Sequence, residues 1–425
     1  MIFRTMPAVV LALATLARAQ APGACPPSLP QPLTLAAAED RIERCNRDVR
    51  AAALAVDAAL ADLRTAGQRP NPTLSVGLSN FGPHNGIGSG SLREKTLDQS
   101  LRLEQVIERG GKTQLRLAQA EANVLAARAD LEEQKRQQRL AVRAAFFDLA
   151  AVQERVALQR EFVALAGETV SASRRRLEAG DVAASEANRF RLDAVRAEND
   201  LRQAETELYR ARLELARMVG AESIAATLQV AAVWTFAPAP GRNGDRPDVV
   251  AARRRVEAAE AARELARQLG TRDVTVGIEA DRSPATDINP SGNGVTYGVS
   301  VSIPLYARHR NEGELARAVA DLETARAALE KTRAQADAEA SVAEEEWRSA
   351  RTRRDRLETE VRPIAREVAQ AAEFAYSKGA TGVLDLLDAR RSLKAVELDE
   401  LQARAEAAKA WARREAALEG AGGNT

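Results

Sequence analysis

Aromatic residues make up only 4% of this 425-residue chain, and it has just two histidines, three methionines and two cysteines. So few aromatics argue against a thick layered core. With apolar content resting on Ala and Leu, helix packed on helix is the economical solution. The two histidines, His84 and His309, have no partners at zincin or finger spacing. With no methionine ladder either, a soft-ligand site for copper or zinc is excluded. No nucleophile with an adjacent base stands out, so neither catalysis, a metal centre nor a cofactor is expected. Charge of one sign is also missing: 61 Lys and Arg face 60 Asp and Glu, a net charge of +1. Nucleic acid therefore meets no sequence-wide attraction. The triplets Arg174-Arg175-Arg176 and Arg253-Arg254-Arg255 read as solvated helix faces. Past residue 21, no run approaches the roughly 20 apolar residues of a spanning helix. If the chain crosses a membrane, a closed β-barrel is the remaining solution, because it alone then satisfies every backbone group in lipid.

What is present is a repeat. Asp48-Val49 with Ala51-Ala52 returns as Asp248-Val249 with Ala251-Ala252, and Ser75-Val76-Gly77-Leu78 returns as Thr275-Val276-Gly277-Ile278. The constant interval implies two structurally equivalent halves, here placed at 22–219 and 247–419 with a Pro-containing linker at 220–246 and a tail at 420–425. Residues 1–21 read as a secretory signal, with Arg4 as the charged start, Ala8 to Ala17 as the apolar stretch and small residues at Ala17, Ala19 and Ala21 for cleavage.

Leu35 to Gly67 is Ala-rich, charged and free of proline, which predicts one helix ending before Pro70 and Pro72. Period-two alternation then predicts strands at 73–81 and 96–106, with Leu74, Val76 and Leu78 on one face. The second half repeats this at 273–281 and 295–305, with Tyr297, Val299, Val301 and Ile303 alternating with small polar residues. Glycine-rich loops join each pair. Helical hairpins are expected at 111–218 and 311–419, their first arms unbroken except at Pro363 and on the order of 100 Å long. In the first return arm Ala194, Leu201, Leu208 and Leu215 hold one heptad position, and Ala197, Ala204, Ala211 and Met218 the other, as in a coiled coil. The fold class is thus mainly α with a small β part. Four strands cannot close a barrel, so oligomerisation is required: two copies would give eight strands and a plugged lumen, three would give twelve and an open one.

Cys25 and Cys45 flank a Pro-rich segment of an exported chain. A disulfide between them, lipidation at Cys25 after Gly23-Ala24, and two free thiols all remain open. Gly110-Gly111-Lys112 lacks the spacing of a phosphate loop and reads as a helix start.

The segment Ser302-Ile303-Pro304-Leu305-Tyr306 leading to Arg310-Asn311-Glu312-Gly313, with its first-half counterpart Leu103-Glu104-Gln105 to Gly110-Gly111-Lys112, resembles the strand-to-helix junctions of the outer membrane efflux protein family. These are the TolC-like channels, and the likeness is greatest to the heavy-metal efflux (CzcC-like) branch, although Glu104 stands where a proline is common. The resemblance implies a homotrimer with a twelve-stranded barrel in outer-membrane lipid and a periplasmic α-helical tunnel. It also implies two partners, a periplasmic adaptor and an inner-membrane resistance-nodulation-division transporter. The turns around Gly180 and Gly379 then become the tunnel tips. Three-fold symmetry would make rings of any lumen-facing Asp181, Glu186, Asp385 or Asp388, with Arg189 and Arg390 available to pair with them as a gate or docking surface. The plainer reading of these residues is solvated caps and surface charges. The alternative for the whole chain is a periplasmic coiled-coil adaptor, which predicts one hairpin and a lipoyl-like β domain instead of duplicated strand pairs.

Overall fold

The computed structural model describes residues 25, 29–80, 97–234, 236, 244–284, 292 and 294–420. The signal segment, His84, most of both strand-connecting loops and the Pro-containing part of the linker lie outside the described residues.

The first helical stretch is two helices, α1 (Leu35–Cys45) and α2 (Arg47–Ala66), where one was expected. Asn46 is the reason. Its backbone is extended, and its side-chain oxygen accepts from the N–H groups of Asp48 and Val49 at 2.9 and 3.1 Å. An asparagine that can satisfy orphan N–H groups ends one helix and starts the next more cheaply than it continues either.

Strands β1 (Thr73–Ser79), β2 (Asp98–Ile107), β3 (Val274–Arg282) and β4 (Val295–Ser302) form one antiparallel sheet in sequence order. β1 stops two residues before the expected end, where Asn80 turns to φ 65°. β4 stops before Ile303 and Pro304, since a proline has no N–H to give a ladder. The halves meet at β2 and β3, where Leu101 faces Ala280 and Leu103 faces Ile278. Register carries one apolar row across all four strands through Leu74, Leu103, Ile278 and Val299, and a second through Val76, Leu101, Ala280 and Tyr297. That face is open: Tyr297 is 84% and Val299 78% exposed. The opposite face is polar, with Arg102 paired to Glu279 at 2.6 Å.

Gly110 and Gly111 turn the chain from β2 into α3 (Lys112–Glu178), 67 residues long and so about 100 Å. It returns as α4 (Ala184–Met218), a 3₁₀ turn (Glu222–Thr227) and α5 (Pro247–Gln268). The second long arm is α6 (Glu312–Arg356), a π turn (Leu357–Val361) and α7 (Arg362–Ser377), with α8 (Val383–Leu418) returning. Pro363 does not break this arm. A proline removes one N–H and crowds the carbonyl four residues back, and the wider π turn just before it absorbs that misfit.

α3 packs against α2, α4, α5 and α8, whereas α6 packs on α5 and α8, and α7 on α8. The helices thus form a layer with β1, α2 and α4 along one flank and β4, α6 and α7 along the other. The largest buried cluster sits at mid-height, where α1, α3, α4 and α8 surround Ile42, Phe146, Leu149 and Leu215, each at most 1% exposed. Burying each such side chain contributes roughly 2 to 3 kcal/mol. A one-residue bridge, Leu33 to Val230, ties the start of the chain to the same region.

Gly110 adopts φ 74°, and an added Cβ would stand 2.9 Å from Gln268 Oε1 and 3.0 Å from Thr271 Cβ. Gly180, at φ 80°, has nothing within 4 Å. Left-handed backbone alone costs an L-residue about 1–2 kcal/mol. Gly110→Ala is therefore expected to destabilise by about 2 kcal/mol or more and Gly180→Ala by about 1. Urea midpoints of refolded protein measure both, and equal losses would contradict the close approach at Gly110.

Candidate functional site

Two regions collect the residues singled out by sequence: the strand-to-helix junctions and the hairpin tips.

At the first junction Lys112 is 5% exposed and its Nζ donates to both Asp273 carboxylate oxygens at 2.9 Å and to the Thr271 carbonyl at 2.8 Å. Asp273 also accepts from the Arg109 N–H at 2.9 Å. A charge taken out of water needs such saturation, and here the pair joins the helix start of one half to the strand start of the other. Beside it Glu108 takes a two-pronged contact from Arg116, 2.7 Å on each oxygen, and the Thr113 hydroxyl donates at 2.8 Å. The Arg116 guanidinium holds the Glu108 carboxyl below the usual carboxylate range. None of Glu108, Arg116 and Asp273 was evident from sequence: Asp273 meets Lys112 across 161 residues, and Glu108 and Arg116, though only eight residues apart, face each other because the chain turns from strand to helix between them.

The second junction reproduces the geometry with other residues. Gly111 and Asn311 both stand in left-handed backbone at the helix start, φ 69° and 63°, and they are separated by the repeat interval. Asparagine is the residue after glycine that tolerates this conformation best. Glu312 accepts from the Arg310 N–H at 2.9 Å, and that backbone donor lowers its carboxyl pKa. Pro304 lies in the coil between β4 and α6, and Gly313 in the first turn of α6. The Tyr306 hydroxyl donates to the Leu269 carbonyl at 3.2 Å. His309 is exposed between strand and helix, and no group of His, Cys, Asp and Glu capable of holding a metal occurs among the described residues.

At the tips both turns close the same way. Gly180 N–H donates to Leu177 and Asp181 N–H to Arg176; Gly379 N–H donates to Tyr376 and Ala380 N–H to Ala375, with both glycines at positive φ. This is the helix-ending turn in which glycine satisfies orphan carbonyls. Phe190, Val383, Leu386 and Leu387 bury a small cluster against Val170 and Tyr376, so each tip packs on the other. The Tyr376 hydroxyl donates to Glu186 at 2.8 Å, and the Arg176 guanidinium lies 5.8 Å from the Tyr376 ring. Burial, then Glu186, pushes the Tyr376 phenol above its ordinary value. Arg390 donates to Glu373 and to Thr169, both at 2.9 Å. Arg391 pairs with Asp193 at 3.0 Å, and Lys394 with Asp200 at 2.8 Å.

Of the tip residues expected from sequence, Glu186 and Arg390 are thus occupied inside one chain, and Arg390 pairs with Glu373 instead of with a turn carboxylate. Asp181, Arg189 and Asp385 are exposed without an ion pair among the described residues, and Asp388 lies 3.9 Å from Arg391. Tyr376, Phe190 and Glu373 escaped the sequence reading. Tyr376 just before the second turn and Phe190 early in the helix after the first, in a chain so poor in aromatics, were the available signal.

The family described as "Outer membrane efflux protein" matches residues 40–221 and 243–420. The chain is 26% identical over 368 residues to the cobalt-zinc-cadmium resistance protein CzcC of Cupriavidus metallidurans, covering 85% of this chain and 84% of that protein. Among solved structures, the outer membrane protein VceC of Vibrio cholerae superposes with a TM-score of 0.75 at 20% identity, covering 91% of this chain and 96% of that one. The CmeC outer membrane channel of Campylobacter jejuni does so with 0.77 at 15%, covering 90% and 85%.

A folded-state pKa held below the unfolded value of about 4.3 means that Glu108 stabilises the junction above that pH and loses its contribution as pH falls through the depressed value. Glu108→Gln is expected to lose about 1–2 kcal/mol at pH 7 and to flatten the acid limb of stability below about pH 4.3. Urea titrations between neutral and strongly acidic pH test this, and an unchanged acid limb would assign the slope to other carboxylates.

Proposed function

The chain belongs to the outer membrane efflux protein family, and from that premise we propose that three copies close into one passive exit duct with cations of heavy metals as cargo. As a family member it is an outer-membrane efflux channel of a tripartite system, with the sheet in the membrane and the helices in the periplasm. The adaptor reading is thereby set aside.

The observation that carries the proposal is the unfinished state of both flanks. β1 and β4 are the open edges of a sheet whose apolar face looks outward, and the helices at the same flanks carry unpartnered seams. On α4 these are Leu192, Val195, Tyr209 and Leu213; on the α7 side, Val361, Ile364 and Val368 follow each other at steps of three and four, with Ile364 60% and Val368 52% exposed. Such spacing is the mark of a coiled-coil partner. Because the two flanks differ, one copy's first flank meets the next copy's second, which is the heterologous contact that builds rings. Twelve strands would leave an open lumen, faced by Arg102, Glu104 and Glu279. A periplasmic adaptor at the tips and a resistance-nodulation-division transporter would supply selection and driving force, since the duct itself has neither.

The metal cargo rests on the likeness to the cobalt-zinc-cadmium resistance protein. At the tips we assign gating to the Tyr376–Glu186 contact within each chain and to Asp181, Asp385 and Asp388, with Arg189, between chains. Both halves of the domain division, 22–219 and 247–419, contribute one tip each.

Ile364→Glu with Val368→Glu is expected to turn a detergent-solubilised trimer into monomers, read by light scattering on a sizing column; an intact trimer would place the seam elsewhere. For the gate, Tyr376→Phe, Asp385→Ala and Asp388→Ala should each raise single-channel conductance in planar bilayers, and unchanged conductance in all three would retire the assignment. For the cargo, a strain deleted for this chain should lose tolerance to cobalt, zinc or cadmium salts and regain it from a plasmid copy. Unaltered tolerance to all three would exclude metal efflux.

A further inference from the structure

Cys25 and Cys45 are joined as a disulfide, and the surroundings of that bond have a shape of their own. Cys45 is the last residue of α1, and Asn46 ends the helix directly behind it. The sulfur pair lies on Gly220, just past the end of α4, whose backbone is at φ 64° and where an added Cβ would stand 3.1 Å from Cys45 Cβ and 3.3 Å from Cys25 Sγ. Arg41, 7% exposed, reaches the same spot: Nε donates to the Val219 carbonyl at 3.0 Å, and Nη2 lies 2.8 Å from Cys25 Sγ. A few residues on, Leu33 N–H donates to Gln229 at 2.8 Å and Ala231 N–H to Leu33 at 3.0 Å. The start of the chain is therefore held twice across the segment that leads from the first half to the second.

We propose that Cys25 is the covalent staple of this N-terminal segment, through Cys45, and carries no lipid. Lipid attachment consumes the cysteine sulfur as a thioether, and a sulfur already bonded to Cys45 Sγ has no valence left for one. Forming the staple removes two electrons and two protons from the thiols. A thiolate of this chain attacks the disulfide of a periplasmic thiol oxidant, and the second thiolate then attacks this chain's sulfur in the mixed disulfide, breaking its bond to the oxidant, which leaves as its dithiol. The Arg41 guanidinium beside Cys25 Sγ favours the thiolate that this exchange needs. What the crosslink does mechanically is fasten the segment at Cys25 to the end of α1, where it packs over the turn at Gly220. The inference rests on export of the chain to an oxidising compartment and not on the trimer, the gate or the cargo, so those can fail without touching it.

The test uses the full chain purified from outer membranes of cells fed radiolabelled palmitate. Expected are no incorporated label, two sites alkylated only after reduction, and an intact mass that rises by two hydrogens on reduction. Acyl label with the mass of a diacylglyceryl group on Cys25, or two thiols alkylated without reduction, would overturn the proposal. The mechanical role is read separately, in the protein as it assembles. Cys25→Ser, Cys45→Ser and the reduced wild type should all melt at the same lower temperature, by roughly 5 °C for a crosslink closing a loop of this length. Melting temperatures equal to the oxidised wild type would show that the staple holds nothing.

Discussion

A backbone N–H or C=O left unpaired in hydrocarbon costs several kcal/mol, and β1 and β4 each expose a row of them. Everything else in the chain is arranged around that deficit. The apolar face of the sheet, through Leu74, Leu103, Ile278 and Val299, tolerates lipid, but no side-chain choice can satisfy an edge. Only another strand can. In the proposed trimer the exposed rows on α4 and α7 lie on the same two flanks, so that a single closing operation would cover the edges and those rows together. A closed homo-oligomer is thus a requirement of the backbone before it is a property of the family.

The repeat explains how one chain builds a wall that is continuous from sheet to helix. Each half delivers a strand pair and turns into a long helix through left-handed backbone, at Gly111 in one and Asn311 in the other. The halves have not kept the same chemistry at that turn. The first buries Lys112 against Asp273 of the second half, whereas the second places Glu312 on its own backbone donors. Cross-half pairing at Lys112 and Asp273, together with the β2–β3 ladder, joins the two repeats at the level where membrane gives way to periplasm. Lower down, the same cohesion comes from Phe146 and its neighbours, and at the tips from Tyr376 resting on Glu186 and Phe190.

Much of this was legible in the sequence, and the pattern of what was not has a common cause. Period-two alternation and proline-free heptads are local, so the strands and long helices could be read directly. Asn46 misled because a cap inside an Ala-rich run looks like an ordinary polar residue until its side chain is seen taking two backbone N–H groups. Pro363 misled in the opposite direction, since a π turn let the arm continue. Of the tip residues, the glycines could be read from turn chemistry. The partners of Arg390 and Glu186 could not, because Glu373 and Tyr376 are chosen by how the helices pack.

By itself the sequence determined the duplication, the strand and helix periods, the shortage of metal and catalytic ligands and the need for more than one copy, because each of these follows from residue order over short spans or from counting. The tertiary structure alone decided which charges are spent inside the chain, that Cys25 joins Cys45 over Gly220, and that the open sheet edges are β1 and β4. Those are matters of which distant segments lie side by side, and proximity between residues far apart along the chain is set by packing the whole, not by any stretch of it.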